Sequence, residues 1–321
     1  MKKFKKINIF FTGATGFLGS NLIEYLLQNT NFNFDITALT RDKKKAKKIE
    51  NLGSLKINWI ENNILDLKHE VGNYDIFFHL ACPSAEETYN GMDSVLKFNT
   101  IVHGTQNALE FAVKSKIKKF IFTSSGAVYG DYSKKYKCVP ESYIPALDYT
   151  DSNNTLGISK NIAEMLCLKY SDKYNFETCI FRCFSFIGEN LPLNLHYAIG
   201  NFISQALEHN KIVLNGPKNT FRSYLNVNDF CEWITKASLS KNESKIYNLG
   251  SAKSISMFEL AKIIASKFDK KIKIETLNKK EAVGNLYRKY YMPDISILKE
   301  EFGLLEKISL DESIDKLIKS L

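Results

Sequence analysis

This chain of 321 residues lacks most of the features that staple or anchor a fold. Its six cysteines (Cys82, Cys138, Cys167, Cys179, Cys183 and Cys231) show no C-x-x-C spacing, and most sit in apolar runs. That pattern argues against a disulfide scaffold or a zinc ribbon, and it predicts reduced, buried thiols in a cytoplasmic protein. The five histidines lie apart from one another and from any cysteine cluster, so no metal site is expected. No apolar run approaches the roughly 20 residues of a membrane-spanning helix. The basic start, "MKKFKKINIFFTG", leads into an apolar stretch too short for a signal peptide, and we read it as a first strand. Internal repeats and low-complexity linkers are also missing.

Positive charge is in excess, at a formal net +9. The lysines are spread through segments such as "KKKAKK" (43–48) and "KSKIKK" (114–119), with no nucleic-acid-binding motif around them. A solvated basic surface is the expectation, and nucleic acid is not an expected partner.

The first half alternates β-rich runs with amphipathic stretches. "INIFF" (7–11), "DITALT" (35–40), "KINWI" (56–60), "DIFFHLA" (75–81), "KFIFTSS" (119–125) and "FETCIFRC" (176–183) read as strands. Three are nearly continuous in apolar residues, as parallel strands covered on both faces should be. Helical periodicity fills the gaps, notably over 17–28, 94–115 and 154–173. This alternation predicts an α/β fold with a doubly wound parallel sheet. After residue 183 the signals shorten and mix, which suggests a smaller C-terminal lobe with a cleft between the two. Ser256 with Glu259, and Ser309 with Glu312, have the spacing of helix capping boxes.

"FTGATGFLG" sets Gly13, Gly16 and Gly19 three apart, directly after a strand and opening a helix. The first glycine permits a tight turn and the second lets backbone N–H groups approach a pyrophosphate. The third packs helix on strand, so the loop predicts dinucleotide binding. The second strand ends in "ALTRD", where an acidic residue would select NAD. Arg41 suits a 2′-phosphate and leans the reading to NADP, while Asp42 keeps NAD open.

Taken together, these segments resemble the extended short-chain dehydrogenase/reductase family, in particular its nucleotide-sugar epimerases, dehydratases and reductases. The resemblance runs from "FTGATGFLGSNL" through "NNILDL", "FHLAC", "N-x-x-x-HGT" (Asn99 and 103–105), "FTSSGAVYG" and "FRSYLNVNDF" to "YNLGS" and the C-terminal helix. It implies a Rossmann-type dinucleotide-binding domain over residues 1–183, with 224–250 returning to it. Residues 184–223 and 251–321 would form a lobe for a nucleoside-diphosphate sugar. Implied cofactor contacts are Gly13, Thr15, Gly16, Phe17, Leu18, Gly19, Arg41, Asn63, Ile64, Leu80, Ala81, Asn99 and Lys160. On the substrate side the resemblance implies Ser125, Ser185, Asn201 and Arg222, the last meeting the diphosphate. It also implies a homodimer packed through the helices at 94–115 and 154–173.

In such enzymes a Tyr-x-x-x-Lys pair and a nearby hydroxyl move a proton while a hydride passes between sugar and nicotinamide. Ser125, with Ser124 beside it, stands at the hydroxyl and Lys160 at the lysine, but the tyrosine position holds Leu156. Residues four apart share a helix face, so "LGISK" keeps the register and loses only the acid–base group. Tyr149, Tyr129, Ser125 itself and a lysine-held water are the stand-ins the sequence offers. Sugar 4,6-dehydratases of the family carry Asp-Glu after the hydroxyl residue, where this chain has Gly126 and Ala127. Elimination is therefore disfavoured, leaving 4-epimerisation or 4-keto reduction. The rival expectation is a catalytically silent binder of NAD(P) or nucleotide sugar, acting as a sensor or an inactive subunit.

Overall fold

Apolar runs that the sequence keeps nearly unbroken become the middle of a parallel sheet in the computed structural model. It describes residues 6–29, 32–51, 56–67, 72–132, 134–145, 147–193, 195, 197–241, 244–276 and 288–321. The strands of the first half are β1 (Lys6–Thr12), β2 (Asn33–Thr40), β3 (Ile57–Glu61), β4 (Ile76–His79), β5 (Lys119–Ser125) and β6 (Glu177–Cys183). Beyond them lie the short β7 (Phe186–Ile187), β8 (Lys211–Leu214), β9 (Phe221–Arg222) and β10 (Leu225–Asn226), then β11 (Lys245–Leu249). The main sheet has seven strands in the order β11-β6-β5-β4-β1-β2-β3, every pair parallel.

Neighbouring residues on these strands feed opposite faces, as a pleated strand requires. Phe10, Phe77 and Phe120 join the core beneath α4 (Ser94–Lys114) and α5 (Thr155–Tyr174). Phe11, Phe78 and Ile121 join the other, with Leu22 and Leu26 of α1 (Phe17–Gln28) and Trp233 of α7 (Val227–Leu239). Each such buried side chain contributes roughly 1.5–3 kcal/mol, so covering both faces dominates the stability of this layer. Two elements between α1 and α4 complete the rim: α2 (Lys43–Asn51), which carries the lysine run, and α3 (Ala85–Tyr89).

A separate core gathers α6 (Ala198–His209), β8, α8 (Met257–Ser266) and α10 (Leu310–Lys319). Here β8 pairs with β13 (Lys273–Thr276), and β9 lies between β12 (Ile255–Ser256) and β14 (Tyr290–Tyr291). A further helix, α9 (Ser296–Phe302), follows β14 and packs on β11. Both capping boxes read from the sequence form at the starts of α8 and α10. A third, Ser84 with Glu87, starts α3. Cys167, Cys179, Cys183 and Cys231 are buried, whereas Cys82 is exposed, because the chain leaves β4 there into an open loop.

Candidate active site

The glycine loop follows β1. Gly13 has φ +75°, and a Cβ there would lie 2.5 Å from the Leu80 carbonyl carbon, so only glycine fits against the end of β4. A Cβ on Gly19 would stand 2.2 Å from the Gly13 oxygen, which is the close helix–strand packing the third glycine allows. Gly16 is different: a Cβ there would meet only the Gly13 oxygen at 3.4 Å. It is also the N-cap of α1 and has no side-chain partner, so the first N–H groups of that helix face the cavity with no cap.

One cavity of about 1130 Å³ runs along this loop and on across the mouth of the sheet. Gly13, Thr15, Gly16, Phe17, Leu18, Gly19, Arg41, Asn63, Ile64, Leu80, Ala81 and Lys160 all line it. Asn99, on α4, is not part of the lining. At the far end Arg41 forms an ion pair of 3.0 Å with Glu87. Burial pushes the Glu87 carboxyl up, but hydrogen bonds from Arg41 and Ser84 outweigh it and hold the group below its usual value. Arg41 was legible in the sequence; its carboxylate partner was not.

Ser124, Ser125, Leu156 and Lys160 meet at the middle of the cavity. Gly157 makes this possible, since a Cβ there would stand 2.5 Å from the Ala127 oxygen, and α5 packs closely on the turn after β5. Lys160 is buried; its Nζ donates to the Thr123 oxygen at 2.7 Å and sits 4.5 Å from the centre of the Phe122 ring. The Ser125 hydroxyl accepts from the Ala127 N–H at 3.1 Å. The Ser124 hydroxyl instead donates to Glu164 at 2.5 Å, and Glu164 is paired with buried Arg182 at 2.7 Å. Ser124 thus belongs to a structural network. Leu156 presents hydrocarbon to the cavity one turn before Lys160.

Beneath this centre His79 is held from both sides. Its Nδ1 lies 2.6 Å from the Thr12 hydroxyl and its Nε2 3.1 Å from that of Thr105. The Thr105 hydroxyl donates to the Ile101 carbonyl, so it accepts from Nε2–H, and Nδ1 accepts from Thr12. Burial, reinforced by the Lys160 charge, drives the imidazole down to about 3, which removes it as a base at neutral pH.

The two tyrosines weighed as stand-ins for position 156 are elsewhere. Tyr149 is 86% exposed and outside the lining. Tyr129 is buried, donates to Asn248 Oδ1 at 2.7 Å and is pushed up to about 12 by burial. The cavity continues past Ser185 and Asn201 to Arg222, whose Nη1 donates to the carbonyls of Phe221 (2.8 Å) and Arg288 (3.0 Å). Tyr197 and Tyr291, which the sequence did not single out, also line this end. Among the described residues no group of three or more His, Cys, Asp or Glu residues could hold a metal, and no helix is long and apolar enough to cross a membrane.

Known proteins share this plan. A UDP-glucuronic acid decarboxylase of Arabidopsis thaliana is 26% identical over 99% of this chain and 69% of that protein. A putative UDP-glucose 4-epimerase of Methanocaldococcus jannaschii is 30% identical, over 97% of each. Among solved structures, a UDP-glucuronic acid 4-epimerase from Bacillus cereus, in complex with UDP-glucuronic acid and NAD, superposes with a TM-score of 0.83. It covers 98% of both chains at 23% identity, a likeness of fold. Residues 9–250, from β1 to the end of β11, match the model of a single family, and that span contains the glycine loop, Ser125, Lys160 and Arg222. The chain is therefore a member of the NAD dependent epimerase/dehydratase family.

Proposed function

We propose that this protein is an NAD(P)-dependent enzyme acting on a nucleoside-diphosphate sugar, with 4-epimerisation or 4-keto reduction as its chemistry. The observation that carries the reading is the single cavity joining the glycine loop, Ser125 with Lys160, and Arg222. At about 1130 Å³ it exceeds the roughly 300–1,000 Å³ of a one-ligand pocket and has room for two. The residues fit a dinucleotide: Gly13 and Gly19 close the loop, while the open face of Gly16 and the uncapped α1 N-terminus suit a pyrophosphate. Lys160 and the 63–64 segment would hold the nicotinamide and adenine ends, and Arg41 would decide between NAD and NADP. When bound, the cofactor supplies hydride exchange with the sugar carbon.

Residues 1–183 with 224–250 would carry the cofactor and the remainder the sugar nucleotide. The pairing of β11 with β6 supports that division. Ser185, Asn201 and Arg222 would receive the nucleotide sugar, with Ser125 at the reacting oxygen. Elimination is disfavoured because Gly126 and Ala127 follow Ser125 and bring no carboxylate to the sugar. Exposed Val95, Leu96 and Met165 on α4 and α5 support a homodimer through these helices, to be tested by sedimentation. The buried free thiols suit a reducing, cytoplasmic setting.

Leu156 favours one second reading, a silent binder. Purified protein should be assayed for bound NAD(H) or NADP(H), then for a change in nicotinamide absorbance with UDP-, GDP-, CDP- and dTDP-sugars and their 4-keto forms. The UDP-sugars named in the relatives come first. Hydride transfer lost in Lys160→Ala supports the enzyme. Tight binding of both ligands without transfer, restored by Leu156→Tyr, supports the silent binder.

A further inference from the structure

We infer that Tyr291, brought in from β14, is the proton donor that position 156 lacks, delivering its phenolic proton to the oxygen of a sugar ketone held beside Ser125. The inference rests on the nucleotide-sugar reading above and narrows it to ketone reduction.

Four observations carry it. The Tyr291 ring lines the central cavity. Its hydroxyl is within hydrogen-bonding reach of the Ser125 side chain and covers Gly126, where a Cβ would lie only 2.8 Å from it. The absence of a side chain at Gly126 is what lets the phenol in. The ring is also fixed in place. It packs on Phe184 at 4.9 Å between centroids, and its strand pairs in register with β9, Tyr291 opposite Arg222. The next residue, Met292, is clamped by the Tyr132 hydroxyl, which accepts from the Met292 N–H at 2.6 Å and donates to its carbonyl at 3.1 Å.

Burial raises the Tyr291 pKa more than Arg288, the Ser125 hydrogen bond and Arg222 lower it. The group is therefore a neutral phenol at neutral pH, an acid ready to donate rather than a base ready to accept. That suits reduction of a ketone, in which the proton is needed at once. An epimerase must first remove a proton from the alcohol. The balance is simple: a reduced nicotinamide cofactor gives hydride to the carbonyl carbon, and the Tyr291 O–H bond breaks as the product O–H bond forms. The ketone is reduced, the cofactor oxidised, and the phenolate recovers its proton from water.

The test uses the full-length protein, Tyr291→Phe and a UDP-4-keto-6-deoxy-sugar with NADH or NADPH. The variant should lose kcat by about 10²–10⁴-fold, with KM changed by less than about fivefold. The wild-type kcat should fall at alkaline pH as the phenol ionises, and the variant should lack that limb. The other groups facing Tyr291 are Ser125, Arg222, Arg288, Cys183, Tyr132 and Tyr197. A variant with wild-type kcat and an unchanged alkaline limb would overturn the donor role while leaving the functional reading intact. Wild-type protein that binds both ligands and reduces no ketone would overturn the donor role. Only if it also exchanges no hydride with the UDP-sugar alcohols would it overturn the functional reading as well. A readout independent of turnover is NMR of protein labelled at tyrosine Cζ, with the Tyr291 resonance identified by its loss in the variant. It should move in Ser125→Ala and on addition of UDP-sugar; a resonance unmoved by either contradicts the contact on which the proposal stands.

Discussion

His79 makes a sharp prediction about stability and pH. In the fold the ring is neutral, locked between Thr12 and Thr105, and its pKa is driven to about 3, chiefly by burial and then by Lys160. In the unfolded chain a histidine titrates near 6.5. Below about pH 6.5 the unfolded state therefore takes up a proton that the folded state refuses, and the difference favours unfolding. The contribution is full above about 6.5 and is lost as pH falls toward 3, at about 1.4 kcal/mol per pH unit. Between about pH 7.5 and 4.5 this one residue should cost about 2.7 kcal/mol. Urea unfolding across that range measures it, because carboxylates titrate in wild type and variant alike and cancel in the comparison. His79→Gln should be less stable at neutral pH, having disturbed both threonines, but its loss on acidification should be shallower by about 2.7 kcal/mol. Equal slopes for the two proteins would refute the buried neutral imidazole.

Other predictions concern the loop, the buried ion pair and the ribose end. Gly19→Ala forces a Cβ to within 2.2 Å of the Gly13 oxygen; dinucleotide binding by calorimetry should disappear, and retained affinity would contradict the tight-loop account. Glu164→Gln leaves Arg182 charged and buried, which should cost about 3–5 kcal/mol in urea unfolding; a loss under about 1 kcal/mol would show the pair to be dispensable. Glu87→Gln keeps the capping-box geometry but releases the Arg41 charge. The ratio of NADP to NAD affinity should rise by up to about fivefold, the scale of an exposed ion pair, and an unchanged ratio would remove Arg41 from the ribose site.

How much of this could be read from the chain depends on how local each signal is. The strands of the main sheet carried their own signature, since burial on both faces forces continuous apolar runs such as those around Phe10–Phe11 and Phe77–Phe78. The glycine loop was legible for the same reason, because its three constraints fall within seven residues of one another. The second half was harder, with β9, β12 and β14 only two residues long and without room for a periodic pattern. Position 156 could be seen as hydrocarbon, yet nothing near it in sequence points to Tyr291. That phenol arrives from the far end of the chain, through a short strand held by Arg222, Met292 and Tyr132. Glu87 was missed likewise: its S-x-x-E pattern with Ser84 is local, but its pairing with Arg41 is tertiary.

The central claim is that one cavity holds a nicotinamide dinucleotide and a nucleotide sugar close enough to exchange hydride. The most direct test is nicotinamide absorbance on mixing the purified protein and NADH or NADPH with a UDP-4-keto-sugar. The account predicts oxidation of the cofactor at a rate that depends on Lys160 and Ser125. Unchanged absorbance with every sugar offered, while both ligands are shown to bind, would contradict it.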